Sequence, residues 1–177
     1  MRYLRDWNLW LENLETNDSD TPDIKKAKEK LNTLRMQIDE FNSKYKDIDT
    51  AYKTNDDKKI SDIEKKFDRN EFLVKYLNIA KKSRQVDKDV NQIATDDITL
   101  KKSQDILNIT TDKGIKAQYS NDIPKLKQKI QNTKAGIEKK KVDMAKQFND
   151  IQKEMDERKK EMIEYINKIE KDSDKKY

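Results

Sequence analysis

The chain has 177 residues, 42% of them charged and 33% hydrophobic, with a net charge of +5 and a pI near 9.0. It contains no Cys and no His, which excludes disulfides, thiolate metal sites, a nucleophilic cysteine, and the commonest general base and zinc ligand. Only 2 Gly and 2 Pro are present, too few for the turns of a sheet-rich domain, and no apolar run exceeds three residues, so a β fold, a membrane span and a signal peptide are all excluded.

A hydrophobic third is close to the two positions in seven that a coiled coil requires, and well below the ~45% of a compact domain. The composition therefore predicts a long, thin, all-α molecule with no enzyme active site and no cofactor, in a soluble intracellular setting. A short first helix is predicted from Leu4, Trp7, Leu11 and Leu14, with Tyr3 and Trp10 widening its apolar face. Residues 16–21 read as a turn, short enough to make the flanking helices antiparallel neighbours. Over 22–55, Ile24, Ala27, Leu31, Leu34, Ile38, Phe41, Tyr45, Ile48 and Tyr52 alternate steps of three and four without error, the seam of a helix wound on partners. Thr21 is a suitable N-cap, Pro22 suits the first helical position, and Asp23 meets the positive helix end.

From about 58 a third helix carries Ile60, Ile63, Phe67, Val74 and Leu77, with Asn70 at a core step. Val86, Val90, Ile93, Leu100 and Leu107 continue it. The spacing predicts one nearly continuous helix over 58–109, roughly 75–80 Å long. Residues 110–122, with Gly114, form the clearest break. Ile123, Leu126, Ile130, Ile137, Met144, Phe148, Ile151, Met155, Met162, Tyr165 and Ile169 follow, with a shift of phase between Met144 and Phe148, and the tail beyond 172 is polar.

The pattern repeats internally. Offsetting by 99 sets Ile24, Leu31 and Ile38 over Ile123, Ile130 and Ile137. Offsetting by 88 sets Ile60, Ile63 and Phe67 over Phe148, Ile151 and Met155. This predicts tandem three-helix coiled-coil units, over 1–85 and 86–172, sharing a long linker helix, with a tail at 173–177. The competing expectation is one unbroken helix over 121–172.

Local residues resemble a known family. Tyr3-Leu4-Arg5-Asp6-Trp7-Asn8-Leu9-Trp10-Leu11-Glu12-Asn13 resembles the end of the first helix of the α-actinin rod, which carries an aromatic seven residues before a Trp-Leu-Glu-Asn run. Ile60-Ser61-Asp62-Ile63 followed by Phe67 is similar to that family's Val-Ser-Asp-Ile and core Trp, with Phe in place of Trp. The resemblance covers residues 1–80 and implies spectrin-like repeats. It also implies a cytoplasmic, cytoskeletal rod that spaces end domains and pairs as an antiparallel homodimer. Actin would be reached only through domains outside this chain. Trp7, Trp10, Leu31, Ile38, Phe41, Ile63, Phe67, Ile130, Ile151 and Met155 are the candidate core or dimer residues. Leu9, Trp10, Val142 and Ile166 are left over as candidates for pairing at bundle edges.

Other constellations carry less. Asp18, Asp20 and Glu29 fall at calcium-loop positions, but Pro22 and Asp23 stand where a chelating residue and a glycine are needed, so a helix cap is favoured. Asp56-Asp57 and Asp96-Asp97 read as solvated faces. The basic excess sits late in the chain: 1–56 has a net charge of −2 and 115–177 of +5. Acidic residues interleave with the Lys139-Lys140-Lys141 run, which argues against a nucleic-acid stripe. A basic helical module for nucleic acid or acidic membrane is the alternative to the rod, and no small-molecule substrate is expected.

Overall fold

The heptad seam of residues 22–55 folds as one helix, α1 (Pro22–Lys53). Thr21 takes an extended conformation and its hydroxyl accepts from the Ile24 amide at 3.4 Å, while Pro22 occupies the first turn, where its missing N–H has no helical partner to lose. The structure is a computed structural model that describes residues 20–54 and 56–174; the predicted first helix, with Trp7 and Trp10, lies outside the described residues. Among the described residues, α1 is followed by α2 (Asp57–Lys66), α3 (Glu71–Ile109) and α4 (Lys113–Asp174), with no strand.

The expected continuous helix over 58–109 is not formed. It breaks at residues 67–70, and the chain reverses there. Asn70, read as a polar core step, is instead a buried N-cap, 2% exposed. Its side-chain oxygen accepts from the Phe72 and Leu73 amides at 3.2 Å, and its amide group donates to the Gln37 carbonyl and to Glu40, both at 2.9 Å. One side chain thus starts α3 and ties it to α1. Beyond the turn α3 runs back along α2, so that Lys81 meets Glu64 at 3.0 Å and Arg84 meets Asp57 at 3.2 Å.

The predicted break at 110–122 shrinks to residues 110–112. Asp112 caps α4, its carboxylate accepting from the Ile115 amide and its carbonyl from the Lys116 amide, each at 3.0 Å. From there α4 runs 62 residues to Asp174, roughly 93 Å. It is one helix where the repeat reading expected two. The phase shift at Met144 and Phe148 is a pair of consecutive four-residue steps, 140 to 144 to 148, an insertion that locally unwinds a coiled coil without ending the helix.

Cross-helix ion pairs give the register. Going up α4, Lys129, Lys140, Asp143, Glu154 and Arg158 meet Asp96, Asp89, Lys82, Lys75 and Glu71 in turn, so α3 and α4 are antiparallel. Lys28 of α1 meets Glu170 at 3.8 Å, which makes α1 antiparallel to α4 as well. In the upper part α1, the first turns of α3, and the second half of α4 form a three-helix body, with α2 closing its outer side. Ile151 and Met155 share one core with Leu31, Phe41 and Phe67. Below the end of α1, α3 and α4 continue alone as a two-helix arm. The described residues therefore make one body and one arm, not two three-helix units sharing a linker helix over 58–109.

The centre of the body is aromatic. Phe41, Tyr45, Tyr76 and Phe148, drawn from three helices, all touch one another, with ring centroids 5.4–6.3 Å apart. Edge and tilted geometries of this kind add about 0.5–1.5 kcal/mol per pair beyond area burial.

Candidate functional site

The arm is the part of the molecule with an unusual seam. On α3 the seam recurs every seven residues at Val86, Ile93, Leu100 and Leu107, and three residues after the first three of these stand Asp89, Asp96 and Ser103. Half of a coiled-coil interface that is normally apolar is therefore polar. Asp96 is only 7% exposed. It accepts from Lys129, whose ammonium lies 2.8 Å from the nearer oxygen, and from the Gln92 amide at 2.9 Å. Asp89 accepts from Lys140 at 2.6 Å and from Gln85 at 2.9 Å. The hydrogen bond from Lys129 holds the Asp96 carboxyl below the usual carboxylate range, and that from Lys140 does the same for Asp89. Asp96, expected on a solvated face beside Asp97, is instead the arm's buried charge. A lone buried charge with a specific partner fixes register, because sliding the helices by one heptad would strip it of that partner.

Nearer the body the same ladder continues. Lys82 meets Asp143 at 2.5 Å, Glu154 takes both Lys75 and Arg158, and Arg158 also reaches Glu71. Lys75 holds the Glu154 carboxyl below its usual range. The charges expected to align a second copy are thus in large part paired within one chain.

The basic excess has a sharper location than the last third of the chain. Residues 113–141, the arm half of α4, hold nine lysines against Asp122 and Glu138, whereas 142–174 hold ten carboxylates against seven bases. The excess therefore belongs to the arm.

The sequence-derived candidates divide as follows. Leu31, Phe41, Phe67, Ile151 and Met155 are buried in the body, and Ile38 and Ile63 are half-buried against it. Ile130 is 4% exposed in the arm seam. Of the edge residues offered for pairing, Ile166 is fully buried and Val142 is 70% exposed. Leu9, Trp7 and Trp10 lie outside the described residues. Asp20, a calcium-loop candidate, holds the buried Lys28 ammonium at 3.0 Å. Among the described residues no cluster of three or more acidic side chains is arranged to hold a metal ion, and no helix is long and apolar enough to cross a membrane. An open cleft of about 750 Å³ lies between α1 and α4 above the start of α3, but its charged lining residues Arg158 and Glu71 are spent on each other.

Sequence reasoning missed Asp96 and the Asn70 cap. Both left a signal: Asp96 falls three residues after Ile93 in the heptad, and Asn70 precedes an acidic first-turn residue, Glu71. Comparison with protein-family models, with curated proteins and with solved structures finds no match to this chain.

Proposed function

We propose that this chain is a structural rod, a spacer that acts through its length and the helix faces it presents. The observation that carries this reading is α4: a single helix of 62 residues, packed in both body and arm, so that the two parts are one stiff object. Such a length greatly exceeds the ~30 Å span of a 20-residue helix in a small domain. The chemistry of the residues agrees with it, since the ionisable groups between helices are paired and none of the described buried side-chain polar atoms lacks a partner.

The resemblance to α-actinin rods supports a spacer between end domains. Its antiparallel homodimer draws less support from the geometry, because the ladder between α3 and α4 already uses charges that would align two copies. Small-angle scattering with absolute mass tests the reading. A maximum dimension of roughly 95 Å and a mass of one chain are expected. A maximum dimension near that of a sphere of 21.1 kDa would sink the spacer reading.

A further inference from the structure

The face of α3 that packs on α1 does not stop where α1 stops. Phe72, Tyr76 and Ala80 are all buried there, and Tyr76 both stacks on Phe41 and donates to Asp49 at 2.8 Å. Eighteen residues are five turns of 3.6. Five turns after those three residues stand Val90, Ala94 and Ile98, on the same face. α1 has ended by then, so Val90 is 47% and Ile98 58% exposed. On α4 the corresponding line is marked by Lys159, which is half-buried within electrostatic reach of Asp39 on α1. Five turns before it stands Lys141, next to the exposed Val142. The arm is thus a three-helix bundle without its third helix, and an apolar floor runs on in line with α1.

The walls of this groove differ in sign. Along α4, Lys127, Lys134 and Lys141 are exposed at seven-residue steps, with Glu138 as the one carboxylate among them, paired to Lys141 at 3.0 Å. Along α3, Asp87, Asp97 and Asp105 are exposed, with Lys101 as the one base on that face. Four lysines against four carboxylates leave no net charge to hold a phosphate backbone or an anionic bilayer. A second copy fits poorly. Two arms laid groove to groove and parallel are held apart by their α1 helices, which fill the same line in each body. Laid antiparallel, they set lysine wall on lysine wall.

We propose that this groove seats an amphipathic helix from a different protein, about 20 residues long, acidic along the edge that meets α4 and basic along the edge that meets α3. Apolar anchors at i, i+4 and i+8 fill the floor, and the two charged edges choose partner and direction. The inference does not depend on the spacer role.

The probe is a labelled 21-residue synthetic helix with leucines along its seam, glutamates along one edge and lysines along the other, titrated against the full chain. Saturable binding is expected, together with slower amide exchange over 86–101 and 127–142 and no change over 30–53. Probes with lysine on both edges, or glutamate on both, bind at least tenfold more weakly. Val90→Glu with Ile98→Glu abolishes binding, and Lys127→Glu with Lys134→Glu weakens it at least tenfold. All four positions are exposed, so an unchanged circular dichroism melt confirms that the fold survives. The proposal is overturned by any of four results: no saturable binding, binding indifferent to Val90→Glu with Ile98→Glu, a dimer of the chain that this pair dissolves, or displacement of the probe by duplex DNA or anionic vesicles.

Discussion

α3 packs against α4 along its whole length, yet its two ends do so by different means. At the body end it contributes Phe72, Leu73, Tyr76, Leu77, Ile79 and Ala80, buried on nearly every side because α1, α2 and α4 surround it. At the arm end it has one neighbour, and alternate seam positions are Asp89, Asp96 and Ser103. Apolar area supplies most of the favourable free energy of packing, whereas an ion pair with one exposed partner contributes little net stability but makes the wrong register costly. The body is therefore where the molecule is held folded, and the arm is where two helices are held in alignment.

The strongest way to break that comparison is through the aromatic centre. Phe41→Ala removes a ring that is fully buried and touches Tyr45, Tyr76 and Phe148. A loss of about 3–5 kcal/mol in unfolding free energy is expected from urea denaturation. A loss under about 1 kcal/mol would mean that the body is not the source of stability.

The opposite sign is expected in the arm. Pro124 lies inside α4, where it cannot donate to the Ser120 carbonyl. Its substitution by alanine relieves a penalty of about 3 kcal/mol in a helix interior. Because the arm opens separately from the body, the gain should appear as slower amide exchange over 113–130, with the body unchanged. Slower exchange in α1 as well would show that body and arm open as one unit.

Much of the body was legible because its signals are local. The three-and-four steps from Ile24 to Tyr52, with Thr21 and Pro22 before them, define α1 within two residues of its observed end. What was not legible depends on which helix lies opposite. Nothing in the heptad count distinguishes Asn70 in a core from Asn70 capping a helix, because both bury the side chain; the difference is the Gln37 carbonyl and Glu40 waiting on α1. The repeat offsets of 99 and 88 reflect shared heptads, which any coiled coil supplies, and so they say little about whether the chain turns back. The charge of the last third was visible, but its confinement to 113–141 and the polar seam opposite it emerge only once α3 and α4 are in register.

Asn70 offers a smaller test at the junction of the two regions. Asn70→Ala removes the acceptor for two amides and the donor to α1, and about 1–2 kcal/mol should be lost. Asn70→Asp keeps the cap and loses the donor, while placing a second carboxylate beside Glu40. If the cap alone matters, the aspartate variant should unfold like the parent. If the tie to α1 matters, it should fall between parent and alanine. Equal loss in both variants would assign the whole effect to the tie.

The smallest effect is expected from acid, and it should separate the regions by their chemistry. Asp89 and Asp96 titrate below the usual range in the folded arm, each held there first by a lysine hydrogen bond. For a depressed carboxyl the added stability is complete above the unfolded value near 3.9, and it is lost as pH falls through the folded value. The arm should therefore loosen progressively below about pH 4. The body also holds depressed carboxyls, at Glu64 and Glu154, but its aromatic centre does not titrate there. Tyr52 and Tyr76 are shifted the other way, above the ordinary tyrosine range, first by burial and then by the carboxylates of Glu64 and Asp49. Amide exchange at stepwise lower pH, corrected for the intrinsic rate, should show protection over 86–109 and 113–141 falling while that over 34–52 persists. The lysine partners are 40–55% exposed, so water and salt screen these pairs, and the loss should be modest and smaller still in high salt. Simultaneous loss of protection in both regions would mean that the ladder holds the body as much as the arm, and the distinction between a part that folds and a part that aligns would fail.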